Sequence, residues 1–319
     1  MRRALQIIAA LALAGCDGAA PPDDTPDAGR DAGALADVGA TEDAGACEAD
    51  PMGDPLACES LEPDPSCEAR WTVGVRGRVI ALEGGAGVAD ARPQLCARVA
   101  PDDRLVCLVP PTTDAEGEFT IVVPQEIRCL ERAAMRVVAP RQPLGAVHCP
   151  FALEGTEPVI ALEEAFALPA TAPAEVPPEG DPAAPREVRF PGGVTLSLAP
   201  DALLGADAYE RLAGGPVPVE ATACFAEGRP LLGAYTFTPE GALATPAAIA
   251  LPNDAGLPPG ASVDLYVLGG LDTRLVDGTP VEEAELARFG AGTVSADGAR
   301  IVSDEASLPY LSTVAWQAR

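Results

Sequence analysis

The sequence contains no lysine and only one histidine, His148, and both shortages limit what the chain can do. All 21 basic residues are arginine, against 48 acidic residues, which gives a net charge of −27. Such a chain repels nucleic-acid phosphates and the surface of an anionic bilayer, so no nucleic-acid partner is expected. A single histidine cannot form a histidine-rich metal site, and we expect neither a metal nor a cofactor.

Motifs of common enzymes are also missing. The sequence has no C-x-x-C, G-x-S-x-G, H-E-x-x-H, P-loop or dinucleotide-binding fingerprint. His148 precedes Cys149, but a bridged Cys149 beside a surface histidine is the favoured interpretation over a nucleophile and its base. With 48 acids, a carboxylate pair carries no information, so no catalytic residue is assigned.

The first residues are typical of an export signal. Arg2 and Arg3 precede an apolar run at residues 4–14, too short for a spanning helix of about 20 residues. The run ends in L-A-G-C at residues 13–16, which resembles the lipobox of bacterial lipoproteins. The resemblance implies a signal peptide at 1–15, cleavage between Gly15 and Cys16, and lipid on Cys16 with acyl chains such as palmitate. Two or more acyl chains hold a protein firmly on a membrane.

The mature chain is expected to begin with a disordered linker at 16–46. Residues 17–46 hold eight acids, one arginine and no aromatic residue, so they cannot bury enough apolar area to offset the entropy of ordering. Eight further cysteines remain, and an even number in an exported chain predicts disulfide bonds. They are Cys47, Cys58, Cys67, Cys96, Cys107, Cys129, Cys149 and Cys224. The sequence does not fix their pairing, although we favour Cys129 with Cys149.

Glycine and proline are frequent, with 32 and 34 residues, which favours short strands and turns over long helices. A cysteine-containing lead-in at 47–69 precedes a first domain at 70–167, where apolar residues alternate along several segments. The motifs V-R-G-R-V at 75–79 and T-D-A-E-G-E-F at 113–119 resemble the carboxypeptidase regulatory-like β-sandwich. That resemblance implies a tight turn at Gly117 and a core position for Phe119.

A proline-rich linker is expected at 168–185, followed by a second domain at 186–319. An antiparallel sandwich is predicted, because apolar and polar residues alternate at 194–198, 217–225, 235–237, 249–251 and 263–267. The sequence also predicts a turn at 239–241 and one short helix at 281–289. The spacing of Pro239, Gly241 and Pro246 before a core strand resembles the ZU5-like β-sandwich, and this resemblance implies an interaction or structural module. Trp316 is expected in the core rather than as a ligand platform.

Together these patterns predict an all-β protein: two tandem antiparallel β-sandwiches after a disordered acidic tether. The expected location is the cell envelope, on a membrane left undetermined, facing the periplasm or the exterior. We expect a non-enzymatic binding or structural module whose partner, besides the membrane, is an envelope protein or glycan. The alternatives are a glycan-directed surface hydrolase with an unrecognised carboxylate pair and a calcium-stabilised adhesin.

Overall fold

Strands dominate the described part of the chain, and the predicted all-β fold is confirmed. The structure is a computed structural model that describes residues 53–178, 184–203 and 208–319. These residues belong to one compact unit. No helix in the described ranges is long and apolar enough to cross a bilayer. The predicted signal peptide, the predicted lipidation of Cys16 and the predicted acidic linker all concern residues outside these ranges.

The first sandwich consists of a five-stranded and a four-stranded sheet. Its strands are β1 (Arg70–Trp71), β2 (Gly74–Ala81), β3 (Arg92–Val99), β4 (Arg104–Cys107), β5 (Glu118–Val122), β6 (Cys129–Val138), β7 (Val147–Phe151), β8 (Val159–Ala161) and β9 (Phe166–Leu168). One sheet has the order β1-β6-β3-β4 with β7 on β6, and the other contains β5, β2, β8 and β9. Pairing is antiparallel except that β8 and β9 run parallel to β2.

Alternating apolar residues fill the space between these two sheets. Leu95 and Met135 from one sheet and Ile121 from the other are buried in the same apolar cluster. Phe119 is buried there as well, as the sequence predicts. Gly117 enters that strand in the left-handed region, with φ of 82°, and a Cβ there would lie 2.0 Å from the Val79 carbonyl oxygen. Only glycine fits such a turn without strain.

The described part of the lead-in, residues 53–69, is bonded to the first sandwich. A disulfide joins Cys67 to Cys129 at the start of β6. The buried Arg128 donates hydrogen bonds to the Val123 carbonyl and to the Glu59 carboxylate. This segment therefore covers one end of the first sandwich.

The second sandwich consists of one nine-stranded sheet that folds back on itself. Its elements are β10 (Ala172–Pro173), β11 (Arg186–Arg189), β12 (Thr195–Leu198), β13 (Ala213–Val217), α1 (Ala223–Ala226), β14 (Gly233–Pro252), β15 (Ser262–Leu268), β16 (Leu286–Val294), β17 (Arg300–Ser303) and β18 (Leu308–Ala318). Strand β14 pairs with both β17 and β18, so the order β14-β17-β16-β15-β18 closes into a ring. Closure leaves these five strands without a free edge in the ring.

A group of aromatic side chains packs together within the mainly aliphatic second core. Phe190 lies edge-on to Phe237, with ring centroids 5.0 Å apart, and Tyr235 is tilted against the same ring. Such pairs contribute more than their buried area alone. Trp316 is 7% exposed and belongs to this core, which confirms the prediction.

The predicted linker at 168–185 is extended where it is described, but it pairs with neighbouring strands. Leu168 is fully buried in β9, and β10 pairs with β13. Glu175 then forms a bridge with Arg189. The connection between the sandwiches therefore runs along the surface strands of the second sandwich where it is described.

Three local predictions are wrong. Residues 281–285 form a turn that leads into β16, because Ala284 takes a left-handed conformation with φ of 62° where a helix was expected. Residues 217–225 leave the sheet after β13 for a 3-10 turn and α1. The expected turn at 239–241 is an irregularity within β14, where the pairing with β18 shifts between Thr236 and Gly241.

Candidate functional site

One face of the five-stranded sheet carries basic side chains. Arg98 on β3 lies opposite Arg132 on β6, and Arg136 on β6 lies opposite His148 on β7. Residues paired across antiparallel strands point to the same face, and this face is opposite the apolar core. The sheet therefore presents three arginines and the only histidine to its neighbour.

The second sandwich presents acidic side chains to that face. Glu240 projects from the irregularity in β14, and Glu282 and Glu283 lie in the turn before β16. Gly269 holds this turn in place by hydrogen bonds with Ala284 and Glu285. A Cβ on Gly269 would lie 1.9 Å from the Glu282 carbonyl oxygen, so the close approach requires glycine.

Hydrogen bonds join the two sets of side chains across the seam. His148 contacts Glu240 through Nε2 at 2.6 Å and Glu283 through Nδ1 at 2.8 Å. Arg136 donates from Nη2 to the other oxygen of Glu240 at 2.7 Å. Arg98 donates from Nη2 to both oxygens of Glu282, at 2.7 and 2.6 Å. We call these six residues (Arg98, Arg136, His148, Glu240, Glu282 and Glu283) the seam cluster.

The centre of the seam cluster is buried and ionised. The side chains of His148, Glu240 and Glu283 are 1%, 9% and 5% exposed. Burial opposes the charged form of His148, but the two carboxylates outweigh it and raise its pKa to about 9. Burial likewise opposes ionisation of Glu240, yet His148 and Arg136 lower its pKa to about 2. At neutral pH the cluster therefore holds paired charges of both signs.

This geometry gives His148 a structural role. A protonated imidazole with both N–H groups bound to carboxylates has no lone pair for a proton or a metal. The prediction of a surface histidine is wrong, because the ring is buried between the sandwiches. The adjacent Cys149 is bonded to Cys224 in α1, so its sulfur is not a free thiolate. Cys149 and His148 thus both connect the two sandwiches.

The structure shows the partners of six of the cysteines predicted to form disulfide bonds. Cys67 pairs with Cys129, Cys96 with Cys107, and Cys149 with Cys224. The favoured pairing of Cys129 with Cys149 is therefore wrong. Cys58 is disulfide-bonded too. Gly15, Cys16 and Cys47 lie outside the described residues.

A cavity of about 430 Å³ opens at the same seam, next to the Cys149–Cys224 bond. Residues around β7 and β9 line one side, and residues 218–224 of the second sandwich line the other. Its lining is Leu82, Val147, Cys149, Pro150, Phe151, Leu162, Glu163, Glu164, Ala165, Phe166, Ala167, Pro218, Glu220, Ala221, Ala223 and Cys224. We call it the seam pocket. Ligand sites occur preferentially where domains meet, and this volume is in their usual range.

Sequence patterns give only a partial signal for this site. The seam contains a lone histidine, two arginines on one face of a strand at positions 132 and 136, and the V-E-E-A-E run at 281–285. Nothing in the sequence joins them, because the contacts span up to 184 residues. Comparison with known proteins adds no assignment, because no protein-family model matches the chain and the search of curated proteins found no match.

Proposed function

We propose that this chain is a lipid-anchored protein of the bacterial cell envelope whose two sandwiches act as one rigid, non-enzymatic binding module. In this proposal Cys16 carries the lipid and residues 17–46 are the tether. The first sandwich is of the carboxypeptidase regulatory-like kind and the second of the ZU5-like kind. An envelope protein or glycan is the partner.

The seam is the observation that carries this proposal. A buried set of paired charges and one disulfide fix the relative position of the sandwiches, and a pocket remains open beside them. Preorganised surfaces of this type lower the entropic cost of binding. The disulfide bonds are suited to an oxidising compartment outside the cytoplasm.

The residues that could have acted as nucleophile and base have other roles. Cys149 is oxidised, and His148 is held by Glu240 and Glu283. Those two carboxylates face the histidine rather than each other across an open cleft. The arrangement therefore supports binding over hydrolysis.

Labelling in cells tests the anchor and the partner together. The full chain is expressed in a bacterium supplied with an alkyne-bearing palmitate analogue, beside Cys16→Ser and the matched control Asp17→Asn. We expect label and membrane fractionation for the unmodified chain and for Asp17→Asn, and neither for Cys16→Ser. Crosslinking of the anchored protein should yield one recurrent envelope component.

Two results would count against the proposal. An unmodified Cys16 within an intact N-terminus would contradict the lipid anchor. Turnover of an envelope glycan that disappears on substitution of a single carboxylate would contradict the non-enzymatic role and favour the hydrolase.

A further inference from the structure

The seam pocket combines an apolar interior with an acidic rim. Val147, Phe151, Leu162 and Leu82 are partly exposed along its lining, while Phe166 is buried against it. Large apolar side chains that keep contact with solvent around one cavity provide a surface that a ligand can cover. The apolar part of an occupant would lie here.

The charge of the rim is of one sign. Glu163, Glu164 and Glu220 line the pocket and are exposed, and the lining contains no arginine. Within the described ranges, none of these three carboxylates takes part in a hydrogen bond or ion pair. The neighbouring seam cluster differs, because each of its carboxylates faces a cation. A cationic group at the pocket mouth would supply the missing countercharge.

Both sandwiches must be in place for the pocket to exist. Glu163 and Glu164 belong to the first sandwich, and Glu220 belongs to the 3-10 turn before α1 in the second. The Cys149–Cys224 bond lies in the wall between them.

We propose that the seam pocket binds a small lipophilic cation, an amine or quaternary ammonium with an aromatic or branched apolar body. The apolar body fills the space next to Phe151 and Leu162, and the charged group lies among the three carboxylates. The inference rests on the proposed binding function and gives that module a ligand class.

Three probes that share one naphthalene body test this inference on the full, oxidised chain. They are 1-naphthylmethylamine, 1-naphthalenemethanol and 1-naphthoate, which are cationic, neutral and anionic at pH 7, titrated by calorimetry. We expect the cation to bind about 10-fold more tightly than the alcohol at low salt, and the anion to bind more weakly than either. The preference should fall to about twofold in 0.5 M NaCl because salt screens exposed charges.

Matched variants separate the rim from the interior. The triple variant Glu163→Gln, Glu164→Gln and Glu220→Gln should lose the preference for the cation and keep binding of the alcohol. A control triple with the same change in net charge, Glu62→Gln, Glu210→Gln and Glu305→Gln, lies on exposed residues outside the pocket. It should keep most of the preference. Ala165→Trp, which fills the pocket from a partly exposed position, should abolish binding of all three probes.

Several results would overturn the inference. They are absence of binding by all three probes, equal binding of cation and anion, loss of preference in both triples alike, or unchanged binding by Ala165→Trp. Crosslinking in cells distinguishes this failure from failure of the proposed function. If the unmodified chain binds none of the three probes but still captures the recurrent envelope component, the module stands and its ligand site lies elsewhere.

Discussion

The substitution Glu240→Gln should destabilise the protein strongly, because Glu240 is the carboxylate that pairs with both the buried His148 and the partly exposed Arg136. Its two oxygens accept hydrogen bonds from His148 at 2.6 Å and Arg136 at 2.7 Å. Glutamine keeps the size of the side chain but removes its charge, so Arg136 loses its counterion and His148 keeps only Glu283. Breaking one partner of a buried ion pair costs about 3–5 kcal/mol.

The effect is large enough to measure by two methods. At about 2–4 °C per kcal/mol for a chain of this size, the melting temperature should fall by about 6–20 °C. Urea unfolding at pH 7, with all disulfides oxidised, gives the free energy independently. The expected result is a lower midpoint with an unchanged slope.

Substitutions in two more exposed ion pairs serve as comparisons for the loss of stability. Glu187→Gln removes an exposed ion pair, in which Glu187 (61% exposed) lies 3.7 Å from Arg189 (68% exposed). This change should alter the free energy of unfolding by less than about 0.5 kcal/mol. Glu282→Gln removes the half-exposed partner of Arg98 and should cost about 1 kcal/mol. If Glu240→Gln were no more damaging than Glu187→Gln, the seam cluster would not hold the sandwiches together.

Three further predictions concern pH, the disulfide and one turn. The pKa of His148 in the folded protein is about 9, above its ordinary 6.5, so the stabilisation it provides is complete below pH 6.5 and is lost as the pH rises through 9. Urea titrations between about pH 6 and 10 should show this loss for the unmodified protein and not for His148→Gln. Replacing Cys149 and Cys224 together by alanine frees a loop of 75 residues and should lower the free energy of unfolding by about 2–4 kcal/mol, whereas an unchanged midpoint would mean that the bond does not constrain the unfolded chain. Gly117→Ala should cost about 1–3 kcal/mol or more by thermal unfolding, and a neutral result would mean that the turn adopts another conformation.

Local patterns predicted the strands whose environment is decided by near neighbours. Alternation placed Leu196 and Leu198 in the core, because period-two burial is visible in a single strand, whereas the core position of Phe119 came from the resemblance of residues 113–119 to a known turn motif. The same reasoning was wrong for residues 217–225, which alternate but leave the sheet to form the wall of the seam pocket. It was also wrong for residues 281–289, where a helix-like composition gives way to a turn held by Gly269.

The candidate site depends on contacts that no local pattern contains. His148 meets Glu240 and Glu283 only after two sandwiches are placed side by side, at separations of 92 and 135 residues. Disulfide pairing also depends on contacts between distant parts of the sequence, since Cys149 bonds a residue 75 positions away in the other sandwich. Sequence supplied the residue types, and the three-dimensional arrangement supplied their partners.

Residual dipolar couplings of backbone amides test the central claim, that the two sandwiches form one rigid body, most directly. They would be measured on the oxidised protein at pH 7 for amides in β2–β9 and in β11–β18. We predict that a single alignment tensor fits both sandwiches in their arrangement across the seam. Two tensors of different magnitude or orientation would show independent motion and would contradict both the rigid module and the pocket that depends on it.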